Sequence, residues 1–290
     1  MNSKIILERQ TIISKPKYTV LVGLLTAILA FFVIRVLANQ FITLHTFYFF
    51  DTLIMAGALW VLVKYRRALR WSDWLLALIL GAGVGVGMLF ATLFTPYPFF
   101  EFVKSAPEQA LLRGLGTILA TLGGLAIMRQ GGPVQFHIAD RNWKKASWGV
   151  LVGLTVGLPL AALNVFALQL TQSQPIQWQN PIAALFDALQ PAVVEEIIYR
   201  FMLWGLLWLI LRNSLPTQSV WLAGLFAMLI HNYSHFDELF VQAPLVALGM
   251  GAAMALLWGL PLLILARCRG LESAIAFHWL QDAARFLAGF

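Results

Sequence analysis

Charge is scarce in this chain: Asp, Glu, Lys and Arg make up 11% of its 290 residues, against about 25% in an ordinary soluble domain. That scarcity excludes a water-soluble fold, which could not hide so much apolar surface. Cysteine is scarcer still. The lone Cys268 excludes an internal disulfide and any metal site built on cysteine. The ten-residue alternation of a membrane barrel is missing, as are low-complexity tracts, an HExxH zinc motif and an inverted repeat of the transporter kind.

What is present is apolar. Hydrophobic residues account for 60% of the chain and the mean hydropathy is +0.78. Uninterrupted runs of roughly 18 residues or more recur, each long enough to cross a ~30 Å hydrocarbon core. In lipid every backbone N–H and C=O must be paired internally, so these runs are helices. The fold class expected is all-α, a polytopic integral membrane bundle of eight or nine transmembrane helices. Spans are expected at 19–37, 46–63, 74–95, 109–128, 147–169, 183–210, 217–233, 240–266 and 271–289. The first run has no small-residue cleavage site after it and reads as a span, not a removable signal.

A net charge of +7 could suggest nucleic acid, but the basic residues sit in loops on one side of the spans. Lys4, Arg9, Lys15 and Lys17 precede the first span. Lys64, Arg66, Arg67 and Arg70 follow the second, and Arg129, Arg141, Lys144 and Lys145 the fourth. Arg212, Arg267 and Arg269 continue the series, against Lys104 alone in a loop of the other side. The bias places the N-terminus in the cytoplasm of a plasma or inner membrane and leaves no role for nucleic acid. The loop 129–146 reads as a divider. Before it, 1–146 holds four accessory spans; after it, 147–290 holds the spans with ionisable residues. Gly149, Gly153 and Gly157, like the Gly81–Gly87 series, are spaced for close helix packing.

Ionisable residues inside a span are functional-site candidates by default, because each alone in lipid is costly. PAVVEEIIYRFMLWG places Glu195, Glu196 and Arg200 in one apolar helix. Glu196 and Arg200, four apart, share a face and can pair. Glu195 is rotated about 100° away, free to face a cavity as a general base; the competing reading is a structural ion pair. The next span ends WLAGLFAMLIHNYSH, with His231 and His235 at i and i+4. His231 is the deeper and preferred candidate; His235 remains possible. The last span, GLESAIAFHWLQDAARF, pairs His278 with Asp282, and Arg285 can neutralise Asp282. Three successive helices bringing such groups imply a shared polar cavity. Rises of 1.5 Å per residue put Glu195, His231 and Asp282 about 18–26 Å from the cytoplasmic ends of their helices, in a cavity opening to the outer side.

The order Glu195-Glu196-x-x-x-Arg200, a histidine ending the next span, and His278-x-x-x-Asp282 resembles the CAAX-prenyl-protease-2 and bacteriocin-processing (CPBP) family of intramembrane proteases. The likeness covers about 181–290. It departs at the second motif, where Phe226 stands five residues before His231 and not four. The resemblance implies a metal-independent endopeptidase without a cofactor, acting on a peptide or membrane-protein substrate in the bilayer. In that scheme Glu195 and His231 activate water, His278 and Asp282 stabilise the oxyanion, and Glu196 and Arg200 hold the helix geometry. Asp282 stands where many relatives carry Asn, and an ionised carboxylate only accepts. Two other readings compete. One is a zinc protease using Glu195, His231, His235 and His278; the other is a non-enzymatic scaffold, transporter or immunity-type factor on the same fold.

Overall fold

The computed structural model describes residues 17–38, 46–95, 99 and 103–290. Lys4, Arg9, Lys15 and most of the expected outer loop 96–108 lie outside the described residues. Among the described residues every regular element is helical: α1 (Lys17–Ala38), α2 (Thr46–Tyr65), α3 (Trp71–Leu89), α4 (Ala106–Arg129) and α5 (Trp143–Gln172). There follow α6 (Pro181–Asp187), α7 (Leu189–Glu195), α8 (Trp204–Leu211), α9 (Ser219–Ser234), α10 (Asp237–Gln242), α11 (Pro244–Met254), α12 (Leu260–Arg269) and α13 (Leu271–Ala288). Among the described residues five helical segments are long and apolar enough to cross a membrane: Thr46–Ala68, Trp71–Leu89, Ala106–Arg129, Trp143–Gln172 and Pro244–Arg269. The helices carrying the three motifs are shorter, broken or more charged, which is why apolarity alone does not single them out. An integral membrane helical bundle is the result, and Leu25, Leu29, Val33, Leu151 and Leu158 on its outer helices are exposed as lipid-facing residues would be.

Two breaks shape the motif helices. Pro191 has no N–H to give the carbonyl of Asp187 and its ring crowds that carbonyl; α6 ends there and α7 begins. The chain then widens into a π-helix over Glu196–Leu203 before α8. Such widened turns concentrate at functional sites. A second π turn, Ala255–Gly259, precedes Pro261 on the way into α12. Gly270, at φ +94°, makes the reversal from α12 into α13, and a Cβ there would meet His137 Nδ1 at 2.5 Å.

The α7–π–α8 run is the central element. Tyr199, Phe201, Met202 and Trp204 on it are all buried. Gly123 and Gly124 of α4 leave space for Met202 and Phe201; added Cβ atoms would lie 2.6 and 2.3 Å from those side chains. Trp204 packs over Gly224 of α9 and donates to the Val220 carbonyl at 2.7 Å. On the other side α5 and α13 run parallel in close contact. Gly149 faces Arg269, Gly153 faces Ser273 and Gly157 faces Phe277, in matching steps of four.

Polar groups are not confined to the second half. Arg35 of α1 pairs with Asp237 of α10 and also donates to the Tyr233 carbonyl at 3.0 Å. Thr46 adds two hydrogen bonds to Asp237, each 2.7 Å. Arg129 pairs with fully buried Asp73 at 2.7 Å. The Arg35 and Thr46 bonds tie α1 and the start of α2 to the end of α9 and to α10, whereas Arg129–Asp73 joins α4 to α3.

Candidate active site

Glu195 and Glu196 sit where α7 passes into the π turn, and they point to different partners. Glu196 is fully buried, and its Oε1 lies 3.3 Å from Arg200 Nη1, the pairing that the four-residue spacing predicts. The same oxygen lies 2.8 Å from His278 Nδ1 on α13. Glu195 faces a cavity of about 220 Å³ instead, which also takes His231, His235, His278, Asp282 and Arg285 into its wall.

His231 is held from three sides. Its ring stacks on Tyr199 with centroids 4.4 Å apart. Its Nδ1 lies 2.5 Å from Arg200 Nη1, and its Nε2 lies 2.8 Å from Glu195 Oε2. A guanidinium has donors only, so Nδ1 is the acceptor and the ring proton resides on Nε2, where it is donated to Glu195. Arg200 thus fixes the tautomer of His231 and, through it, the orientation of Glu195. His278 completes the set. With Nδ1 engaged by Glu196, its Nε2 stands 3.8 Å from Glu195 Oε2 and 3.4 Å from Asp282 Oδ2. Asp282 is closer to Arg285, whose Nε donates to Oδ1 at 2.7 Å.

The motif residues of three helices therefore converge on one oxygen, Glu195 Oε2. His235 is also near: its ring centroid is 5.0 Å from that of His231, and it is exposed. Glu195, His231 and His235 offer ligand atoms within 4.8 Å of one another. The Arg200 contact counts against a cation there, because an Nε2 that carries the proton has no lone pair to give. A metal-bound histidine ordinarily donates its other N–H to a carboxylate or carbonyl; here that other nitrogen must accept.

Several residues in or behind the cavity wall were not singled out by the sequence. Asp51 of α2, fully buried, accepts from the Tyr199 hydroxyl at 2.8 Å. Phe47, one turn earlier, sets its ring edge-on to Tyr199, His231 and His235. Asn164 lines the cavity from α5. Its signal was in the sequence: it falls seven residues after Gly157, on the face of α5 that packs against α13. Gln281 of α13 bonds the Gly157 carbonyl at 2.8 Å and receives Trp258 Nε1 at 3.1 Å, closing the cavity floor.

A buried carboxylate, two fixed imidazoles and a small polar cavity among lipid-facing helices define a membrane protein with the makings of a hydrolytic centre. Residues 177–284 match the family model of Rce1-like proteins, type II CAAX prenyl endopeptidases. The matched segment holds all three motifs, which bears out the resemblance read from them. No curated protein and no solved structure matches the chain.

Proposed function

We propose that the chain is a glutamate-dependent intramembrane endopeptidase that hydrolyses a hydrophobic or lipidated peptide or membrane protein. One observation carries this reading: Glu195 Oε2, on a cavity wall, accepts from His231 Nε2 at 2.8 Å while His278 Nε2 stands 3.8 Å away. Glu195 takes a proton from a water molecule in the cavity as the water oxygen attacks the scissile carbonyl carbon. The carbonyl π pair moves to oxygen, and His278, as an imidazolium whose Nδ1–H is held by Glu196, donates to that oxyanion from Nε2. On collapse the C–N bond breaks, the nitrogen takes the proton from Glu195, and a carboxylic acid and an amine leave. His231, held by Arg200 and Tyr199, keeps Glu195 in place and supports its charge.

The same geometry supports catalytic groups in 147–290 buttressed by the helices of 1–146, since Phe47 packs on the His231 ring and Asp51 holds the Tyr199 that stacks on it. The cavity draws on the C-terminal parts of α5, α9 and α13, at the ends remote from the basic 141–145 and 267–269 segments. That placement favours an opening on the outer side with a cytoplasmic N-terminus, which accessibility of single cysteines to membrane-impermeant reagents would test.

The test of the function is a comparison of protein termini, by mass spectrometry, between cells expressing the chain and cells expressing Glu195→Gln at equal level. Termini present only with the intact glutamate support a protease and name its substrate. Identical termini, together with rescue of a deletion defect by Glu195→Gln, would replace it with a scaffold or transport role.

A further inference from the structure

Resting on the endopeptidase reading, we propose that Arg285, anchored by Asp282, is a catalytic residue that donates to the oxyanion, and that Asp282 acts only as its positioning residue. A tetrahedral intermediate in a water-poor cavity needs donors already aimed at the developing charge. An inventory of the site shows how few are available. Glu195 and Asp282 are acceptors as carboxylates. The one N–H of His231 is spent on Glu195. Arg200 gives Nη1 to Glu196 and His231, and its Nε and Nη2 are sealed from the cavity surface by burial. Of the motif side chains, His278 Nε2 is left as the single donor; Asn164 and Asn232 add only neutral amides to the same wall.

Arg285 supplies what is missing. It lines the same cavity as Glu195 and His278, and a third of its side chain is open. Its Nε is bound to Asp282 Oδ1 at 2.7 Å, one helical turn back, and its guanidinium carbon lies 4.6 Å from the Phe286 ring centroid. Among the described residues no protein group accepts from Nη1 or Nη2. A planar fork pinned at one nitrogen and supported on an aromatic ring keeps its remaining donors in a fixed direction. A charged donor also makes a hydrogen bond about twice as strong as a neutral amide does. The carboxylate at position 282, which cannot itself donate, thus has a purpose: it converts Arg285 from a mobile cation into an oriented one. The other charged or titratable groups lining the same cavity are Glu195, Arg200, His231, His235 and His278.

The experiment uses the full chain in liposomes and an S-farnesylated CAAX peptide flanked by fluorophore and quencher. Arg285→Ala is expected to lower kcat roughly 10²–10³-fold with KM changed less than threefold, the usual effect of losing one oxyanion donor. Arg285→Lys, which keeps the charge and spares the fold, is expected to fall between the two. The Ki of the corresponding peptide aldehyde, whose hydrate mimics the intermediate, should rise by the same factor as kcat falls. The Kd of the uncleaved peptide, measured on Glu195→Gln with and without Arg285→Ala, should not move. A merely structural Asp282–Arg285 pair would lower the melting temperature and leave the aldehyde Ki and the substrate Kd in their original ratio. That result, or a kcat within threefold of the parent, overturns the assignment. Glu195-dependent cleavage that ignores Arg285 sinks this inference alone; absence of Glu195-dependent cleavage of this peptide and of Glu195-dependent protein termini in cells sinks it together with the endopeptidase reading.

Discussion

Replacing Arg200 by Lys tests how the site is held together. Arg200 Nη1 serves two acceptors, His231 Nδ1 at 2.5 Å and Glu196 Oε1 at 3.3 Å, at a position only 2% exposed. A lysine keeps a positive charge beside fully buried Glu196, so it avoids the cost of about 3–5 kcal/mol that follows when one member of a buried pair is simply removed. It has no fork, however, and cannot hold the carboxylate and the imidazole in the same geometry. One charge-assisted hydrogen bond is lost, worth about 1.5–3 kcal/mol. If that bond orients Glu195 through His231, the loss appears in kcat/KM as a fall of roughly 10- to 150-fold. A second consequence has the opposite sign. Released from the guanidinium, Nδ1 of His231 can carry the ring proton, leaving the Nε2 lone pair free beside Glu195 and His235. The variant should therefore take up zinc that the parent chain does not, as measured by metal analysis of protein purified with and without added zinc. Parent-like activity and parent-like zinc content in Arg200→Lys would refute the tautomer argument.

Three further outcomes follow from the packing. Gly153→Val drives a side chain into the Ser273 carbonyl, 2.2 Å from the added Cβ; it should part α5 from α13 and lower the detergent melting temperature and the peptidase rate together. Asp237→Asn leaves Arg35 buried without its counter-charge and should destabilise the chain by about 3–5 kcal/mol, read as a lower melting temperature of the full chain. Tyr199→Phe deletes the donor to Asp51 but keeps the ring on His231; a loss of about 1–3 kcal/mol of stability with a nearly unchanged kcat is expected, and a large fall in kcat at unchanged stability would show that the hydroxyl takes part in the chemistry.

Sequence spacing reads one helix at a time, and the candidate site and the fold around it were legible to that extent. Glu196 and Arg200 at i and i+4 pair as the helix period requires, and Glu195 turns to the cavity. His231, chosen over His235 on depth, is the one bonded to Glu195, while His235 stands beside it at the rim. His278-x-x-x-Asp282 looked self-contained from its spacing, yet Glu196 of another helix holds Nδ1 at 2.8 Å, closer than the 3.4 Å to Asp282. Such partners are invisible to periodicity, which reports one helix at a time. The π turn at Glu196–Leu203 was equally hidden, because tertiary packing and not residue propensity selects it. The polar groups of the first half were under-read for a related reason. Asp51 and Arg35 are isolated in apolar runs, and their roles appear only once Tyr199 and Asp237, far along the chain, are brought against them.

The most direct test of the central claim is made on purified protein. Parent chain and Glu195→Gln, reconstituted at equal density in liposomes, are given a farnesylated CAAX peptide in the presence of a zinc chelator, and products are followed by mass spectrometry. The account predicts cleavage at a single bond by the parent, indifferent to the chelator, and none above background by Glu195→Gln. Cleavage that survives Glu195→Gln, or that the chelator abolishes and zinc restores, would contradict it.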